Sequence, residues 1–230
     1  MRKERVYYIK PFTRAWFLNI WFHYKLIIIF SAIAVFFLGF FIFEKATQVN
    51  YDFSMYYIGD TVSMLPTEDD PVKKFEKTLS QKIPDFNGNG KTEVICEGIF
   101  VSNELALTNS GVKADMEKAE IMVRAGESSV FLFGGGYEEP YVGDGMEEPL
   151  YDLSDLAKKY NYPDEALKKY PDGRVYAINM KGNPLMGFDA SDACIVVRPA
   201  LNNGKKAEAA YENELKVAEY IISRGEYEFE

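Results

Sequence analysis

The feature that most constrains this chain is a run of 18 residues without a charge, Leu26 to Phe43 (LIIIFSAIAVFFLGFFIF). As a helix at ~1.5 Å per residue it extends ~27 Å, close to the ~30 Å hydrocarbon layer of a bilayer. Apart from Ser31 it has no polar position, so it lacks the polar stripe of a core helix and reads as a transmembrane helix. A cleaved signal peptide fits less well. The leader of 25 residues is long, the run exceeds the usual ~7–15-residue apolar region, and Phe41-Ile42-Phe43-Glu44-Lys45 offers no small-x-small cleavage site.

Charge orients the helix. Residues 1–25 carry Arg2, Lys3, Arg5, Lys10, Arg14 and Lys25 against Glu4 alone, and the positive-inside bias keeps such a tail in the cytoplasm. Within it, Trp16-Phe17-Leu18-Asn19-Ile20-Trp21-Phe22 reads as an aromatic belt at the headgroup level. The expected organisation is a basic aromatic tail (1–25), a transmembrane helix (26–43), a linker (44–50) and one extracytoplasmic α/β domain (51–230). The expected location is the cell membrane, crossed once, with the bilayer as partner through 26–43.

Of the chain's 26 Lys and Arg and 35 Asp and Glu, 20 and 34 fall in residues 44–230, a net charge of −14. That balance argues against nucleic acid or anionic lipid as partner of the exported domain, since both need cationic neutralisation. Apolar residues at 47% and aromatics at 15% are enough for a core. A single histidine, His23, and two cysteines, Cys96 and Cys194, exclude metal sites built from several His or Cys ligands, and no cofactor is expected.

The domain alternates strands and helices. Tyr51 to Gly59 is apolar on both parities apart from Asp52 and Ser54, as in a strand covered on both faces. Asp69-Asp70-Pro71 starts a helix through Lys82 with Val72, Phe75 and Leu79 at helical spacing. Thr92 to Ser102 is a second strand. Lys113 to Ala125 is a helix striped by Val112, Met116, Ala119 and Val123 and closed by Gly126, and Ser129 to Phe133 is a third strand. Ala193 to Arg198 adds a strand and Lys205 to Arg224 a helix, while 134–192 reads as irregular and loop-rich. The β-α-β-α-β order implies a mainly parallel sheet, because parallel neighbours need a crossover helix.

Several stretches in this order resemble bacterial extracellular solute-binding proteins. Arg124-Ala125-Gly126-Glu127 with Val130-Phe131-Leu132-Phe133 is similar to the family's "aGdaPDvvfl", and Leu150-Tyr151-Asp152-Leu153-Ser154-Asp155-Leu156 to "LldLsdl". Asp172-Gly173-Arg174-Val175-Tyr176-Ala177-Ile178 resembles the strand "dGkvYalP", although Asn179 stands where proline is usual. The last helix, with Lys206-Ala207-Glu208-Ala209-Ala210, is similar to the family's returning helix. The resemblance implies an α/β lobe and a binding role. After Ile178 only about 15 residues precede the last strand, where a complete member inserts a second lobe, so the resemblance is to a single-lobe, membrane-tethered form without closure of two walls on a ligand. The expected function is a binding or interaction module without catalysis, serving a small solute or a membrane or envelope protein.

Three local signals bear on sites. Gly134-Gly135-Gly136-Tyr137 follows the third strand, at the edge where open α/β sheets place ligands. With Glu138, Glu139, Tyr141, Asp144, Glu147 and Glu148 nearby it offers an acidic and aromatic rim for a sugar or cationic group, but a disordered surface loop is the favoured reading. Asp85, Asn87, Asn89 and Glu93 match positions 1, 3, 5 and 9 of a calcium loop with Gly90 at position 6, but position 12 is Cys96. A glycine-rich turn accounts for the same residues and is the favoured reading. Ser63-Met64-Leu65-Pro66-Thr67, behind a membrane anchor, resembles the serine motif of type I signal peptidases, whose base is a lysine on a later strand. No Lys-Arg pair follows residue 67, and a loop serine is the favoured reading. Cys96 and Cys194 read as two separate buried thiols, because a bridge would need their strands to be neighbours.

Protease applied to intact spheroplasts should degrade residues 44–230 and spare an amino-terminal fragment, as read from fragment masses. Protection of the carboxyl-terminal part would reverse the orientation.

Overall fold

The computed structural model describes residues 10–47, 50–60, 70–125, 128–142, 150–187, 190–200 and 205–229. They divide into two compact units, one ending at Val49 and one beginning at Asn50. The first is a single helix, α1 (Arg14–Thr47), of 34 residues. Thr13 starts it: its hydroxyl accepts from the Trp16 amide at 3.3 Å, and its carbonyl from the Phe17 amide at 3.0 Å. Residues 14–44 are long and apolar enough to cross a membrane, and none is buried.

The second unit is a three-layer α/β domain. Its elements are β1 (Phe53–Gly59), α2 (Pro71–Ser80), β2 (Val94–Phe100), α3 (Asn103–Ala106), α4 (Ser110–Ala125), β3 (Val130–Phe133), α5 (Ser154–Lys159), β4 (Leu167–Lys169), β5 (Val175–Asn179), β6 (Cys194–Val197) and α6 (Lys205–Ile222). Six strands form one sheet in the order β2-β1-β3-β6-β5-β4. β1 pairs parallel with β2 and β3, whereas β6 enters antiparallel between β3 and β5, and β4 closes the edge antiparallel to β5. Four strands therefore run one way and two the other. The expected mainly parallel sheet holds in that sense, and the sheet is mixed in its pairings.

Alternation along the strands builds two cores. Phe53, Met55, Tyr57, Val130, Leu132, Ile195 and Val197 face Val72, Phe75 and Leu79 of α2, Ala157 of α5 and Val217 and Ile221 of α6. Ile58, Phe131, Phe133 and Val196 face Ala119 and Val123 of α4. β3 and β6 are buried at every position, which is why their sequences are apolar on both parities. Asp70 caps α2 with its carboxylate 2.8 Å from the Val72 amide, and Pro71 fills the first turn.

The loop-rich reading of 134–192 is corrected: this stretch contains α5, β4 and β5. β4 has three residues and β5 five, and β5 finds its partner β6 only after a connection of its own. Such short strands stand out only once the sheet around them exists. Cys96 and Cys194 are both free and buried. β1 and β3 separate their strands, and the thiols lie in different cores, on opposite faces of the sheet.

Arg198, buried directly after β6, fastens the far end of the domain. Its Nη1 donates to the carbonyls of Met122 (3.2 Å) and Val123 (2.6 Å) at the end of α4, and Nη2 to Ser128 O (2.9 Å). Beside it, Glu214 of α6 accepts from the Ser129 amide at 2.9 Å. Burial pushes the Glu214 carboxyl up to about 7, against the opposing pull of the Ser129 amide and Arg198. A carboxyl whose pKa is raised by folding stabilises fully below its unfolded value, and that contribution is lost as pH rises through about 7. The purified chain should therefore melt lower at pH 8 than at pH 5, and Glu214→Gln should remove roughly 3 kcal/mol of that difference, or ~6–10 °C. An unchanged pH dependence in the variant, measured by circular dichroism, would rule Glu214 out as its source.

Candidate functional site

The chain leaves β1 for β2 on one side and then returns past β1 to β3 on the other. This reversal puts a topological switch point at the carboxyl ends of β1 and β3, where a crevice forms in open α/β sheets. Glycine permits the two ends to meet. The Gly134 amide donates to Ile58 O at 2.9 Å, and a Cβ on Gly59 would lie 3.2 Å from the Gly134 Cα and N. Gly135, at φ +64°, passes beside Asp60, whose Oδ1 a Cβ would approach to 3.2 Å.

The following turn carries Tyr137 and Glu138 into a short 3₁₀ turn, Glu139–Tyr141, with the Glu139 amide on Gly136 O at 3.2 Å. Glu138 is wholly buried. Its Oε1 accepts from the Nζ of Lys168 on β4, whose side chain remains 35% exposed, and its Oε2 has no hydrogen-bond partner among the described residues. Burial, the largest single effect, would lower the Lys168 ammonium, but the hydrogen bond to Glu138 together with the charges of Cys194, Glu138 and Tyr176 outweighs it and the net direction is up. A charge pair in this position is held by the sheet: β4 starts at the same edge at which β3 ends. Cys194, the first residue of β6, lies there too, with its thiol pushed up to about 11 by burial, so it stays protonated at neutral pH.

Of the rim residues expected from sequence, Gly134, Gly135, Gly136, Tyr137, Glu138 and Glu139 lie together at this edge. Tyr141 packs its ring 5.5 Å from that of Phe133. Asp144, Glu147 and Glu148 lie outside the described residues, as does Ser63. The Glu138–Lys168 pairing was not visible in sequence. The two residues are 30 positions apart, and the three-residue strand that delivers Lys168 has no local signature.

Asp85, Asn87, Asn89 and Glu93 sit at the opposite edge, before β2. Asp85 Oδ1 accepts from the amides of Gly88 (2.7 Å) and Asn89 (3.2 Å), and Oδ2 from that of Gly90 (2.6 Å). Asn87 Oδ1 takes the Asn89 amide at 3.0 Å, Asn89 Oδ1 the Lys91 amide at 2.8 Å, and Glu93 Oε2 the Asn89 side-chain amide at 3.2 Å. Gly88 and Gly90 have φ of +71° and +85°. The four side chains are thus used in building a turn, which buried Asp52 pins to β1 through the amides of Asn87 (2.9 Å) and Glu93 (2.8 Å). Asp52 is a working residue that the strand pattern showed only as a polar interruption. Among the described residues no group of three or more His, Cys, Asp or Glu is placed to hold a metal ion.

An open groove of about 430 Å³ lies away from the switch point, between Lys82, Ile83 and Pro84 after α2 and Tyr220, Tyr227 and Phe229 at the end of the chain. The rings of Tyr220 and Tyr227 are each 5.3 Å from that of Phe229, so packing within the chain accounts for its aromatic wall. The switch-point edge, with its buried charge pair, has the stronger chemistry.

Comparison with protein-family models, with curated proteins and with solved structures finds no match.

Asp52→Ala should cost about 2–3 kcal/mol, because two amides lose a charged acceptor. About 10 mM calcium should leave the melting temperature of the unmutated chain unchanged, since bound ligand stabilises only by RT ln(1 + [L]/Kd). A calcium-induced rise that disappears in Asp85→Ala would make the turn a metal site.

Proposed function

We propose that the chain is a membrane-anchored, extracytoplasmic binding or interaction module without catalytic activity, resembling one lobe of a solute-binding protein. α1 is its anchor, and the basic excess in residues 1–25 places the amino terminus in the cytoplasm. The observation that carries the binding reading is the switch-point edge. Glycines bring the ends of β1 and β3 into contact, and Glu138, Lys168, Tyr137 and Asp60 gather around them. Buried Glu138 holds the partly exposed Lys168 ammonium in place, and exposed Asp60 and half-buried Tyr137 border it, so the edge suits the hydroxyls of a polyol or the amine of a cationic solute or protein side chain. An α/β domain also suits this role better than that of a signal peptidase, which an all-β domain with a lysine amine beside Ser63 would support. The buried, protonated thiol of Cys194 supplies no nucleophile.

The pair can be separated from the fold. Lys168→Met alone leaves a buried unpaired carboxylate and should destabilise by about 3–5 kcal/mol, whereas Lys168→Met with Glu138→Leu should recover most of that loss. Amide chemical shifts of the labelled domain, titrated with a panel of polyols, amines and basic peptides, should move at Gly134 to Tyr137 in the unmutated protein and stay still in the double variant. Shifts that survive in the double variant, or that cluster away from this edge, would contradict the proposal.

A further inference from the structure

α1 is longer than a bilayer needs. Its 34 residues extend ~51 Å, against ~30 Å of hydrocarbon and ~40–45 Å with the headgroups. The excess lies mainly before Leu26, where twelve residues of continuous helix, 14–25, precede the uncharged run. Held upright, this helix would carry Trp16 ~15 Å beyond Leu26 and out of the headgroup layer.

The excess is rich in aromatic side chains. Trp16, Ile20 and Tyr24 recur at i, i+4 and i+8, and Phe17 and Trp21 lie alongside them, so these five side chains share one stripe. Leu18 and Phe22, also exposed, face the opposite way, and Arg14 and Lys25 border the stripe beside Trp21. Phe12, just before the cap, sets its ring 5.3 Å from that of Trp16 and continues the aromatic surface. Lys10, Arg14 and Lys25 are exposed, and in sequence Arg2, Lys3 and Arg5 add to them with Glu4 as the single acid.

We infer that residues 10–25 form an interfacial element that binds anionic phospholipid headgroups in the leaflet on the amino-terminal side. Tilting of the long helix lays the stripe of Trp16, Phe17, Ile20, Trp21 and Tyr24 at the acyl boundary, and Lys10, Arg14 and Lys25 contact lipid phosphates. Charge complementarity selects this occupant: Lys10, Arg14 and Lys25, with no acid among residues 10–25, match the negative potential of a lipid surface. The inference rests on α1 being a membrane anchor, which extraction of membranes with alkaline carbonate tests separately. Release of the chain by carbonate would refute the anchor.

The chain's two tryptophans, Trp16 and Trp21, both lie on the stripe, so intrinsic fluorescence reports on this element alone. The full chain is placed in nanodiscs of brominated phosphatidylcholine, with or without about 30 mol% phosphatidylglycerol. With the anionic lipid, emission should shift to the blue and bromine quenching should rise roughly twofold. About 0.5 M salt should reverse both changes. Lys10→Gln with Arg14→Gln should abolish the difference between lipids while leaving emission in neutral discs unchanged. Equal quenching in both lipids would overturn the inference. So would emission that depends on the number of copies per disc and is untouched by bromine, which would assign the stripe to a second copy of the chain.

Discussion

The α/β domain depends on a guanidinium taken out of water. Arg198 directly follows β6, the strand that runs against its neighbours, and its donors reach the last carbonyls of α4 and the backbone that enters β3. One side chain therefore fixes β6 to α4 and the start of β3, 70 to 76 residues earlier in the chain. The Arg198 amide also donates to Ser129 O at 2.8 Å, and the Ser129 amide donates to Glu214 of α6. Helices on both faces of the sheet are thereby tied to one junction. Removing a partner from such a buried charged network costs more than the network contributes, which is why it acts as a constraint on the fold.

This junction secures the end of the sheet where β3 begins, and the other end is left for glycine, loops and charge. β1 and β3 approach closely at Gly59 and Gly134, and β4 delivers Lys168 to a carboxylate that has no exposure of its own. The two edges differ in chemistry for that reason. At the edge holding residues 85–93, carboxylates and side-chain amides are used on backbone amides; at the other, a buried carboxylate keeps one oxygen without a partner among the described residues. Binding at an edge so built needs no second lobe to form the charge pair, although it forgoes enclosure of the ligand.

The framework was legible where the signal is local. An apolar pattern on both parities announced β1, apolar runs marked β2 and β3, and the cap at Asp70-Pro71 announced α2. β4 was hidden, because three residues carry too little periodicity, and β5 was marked only by the resemblance of residues 172–178 to a strand, its partner β6 lying later in the chain. Gly134 to Tyr137 could be placed at the sheet edge from chain order alone. Glu138 looked like one acid among many in that stretch, and only tertiary structure distinguishes a buried carboxylate from a solvated one. Asp52 and Arg198 were visible as polar residues at the ends of apolar strands, a signal that marks end-of-strand anchoring in hindsight.

The central claim is that the carboxyl edge of β1 and β3 is where the domain meets its partner. Site-directed photo-crosslinking in intact membranes tests it most directly, with a photoreactive phenylalanine derivative in place of Tyr137 and, as control, in place of Asn89 at the opposite edge. The account predicts adducts from position 137 that are absent from position 89. Equal adducts at both positions, or adducts from position 89 alone, would contradict it.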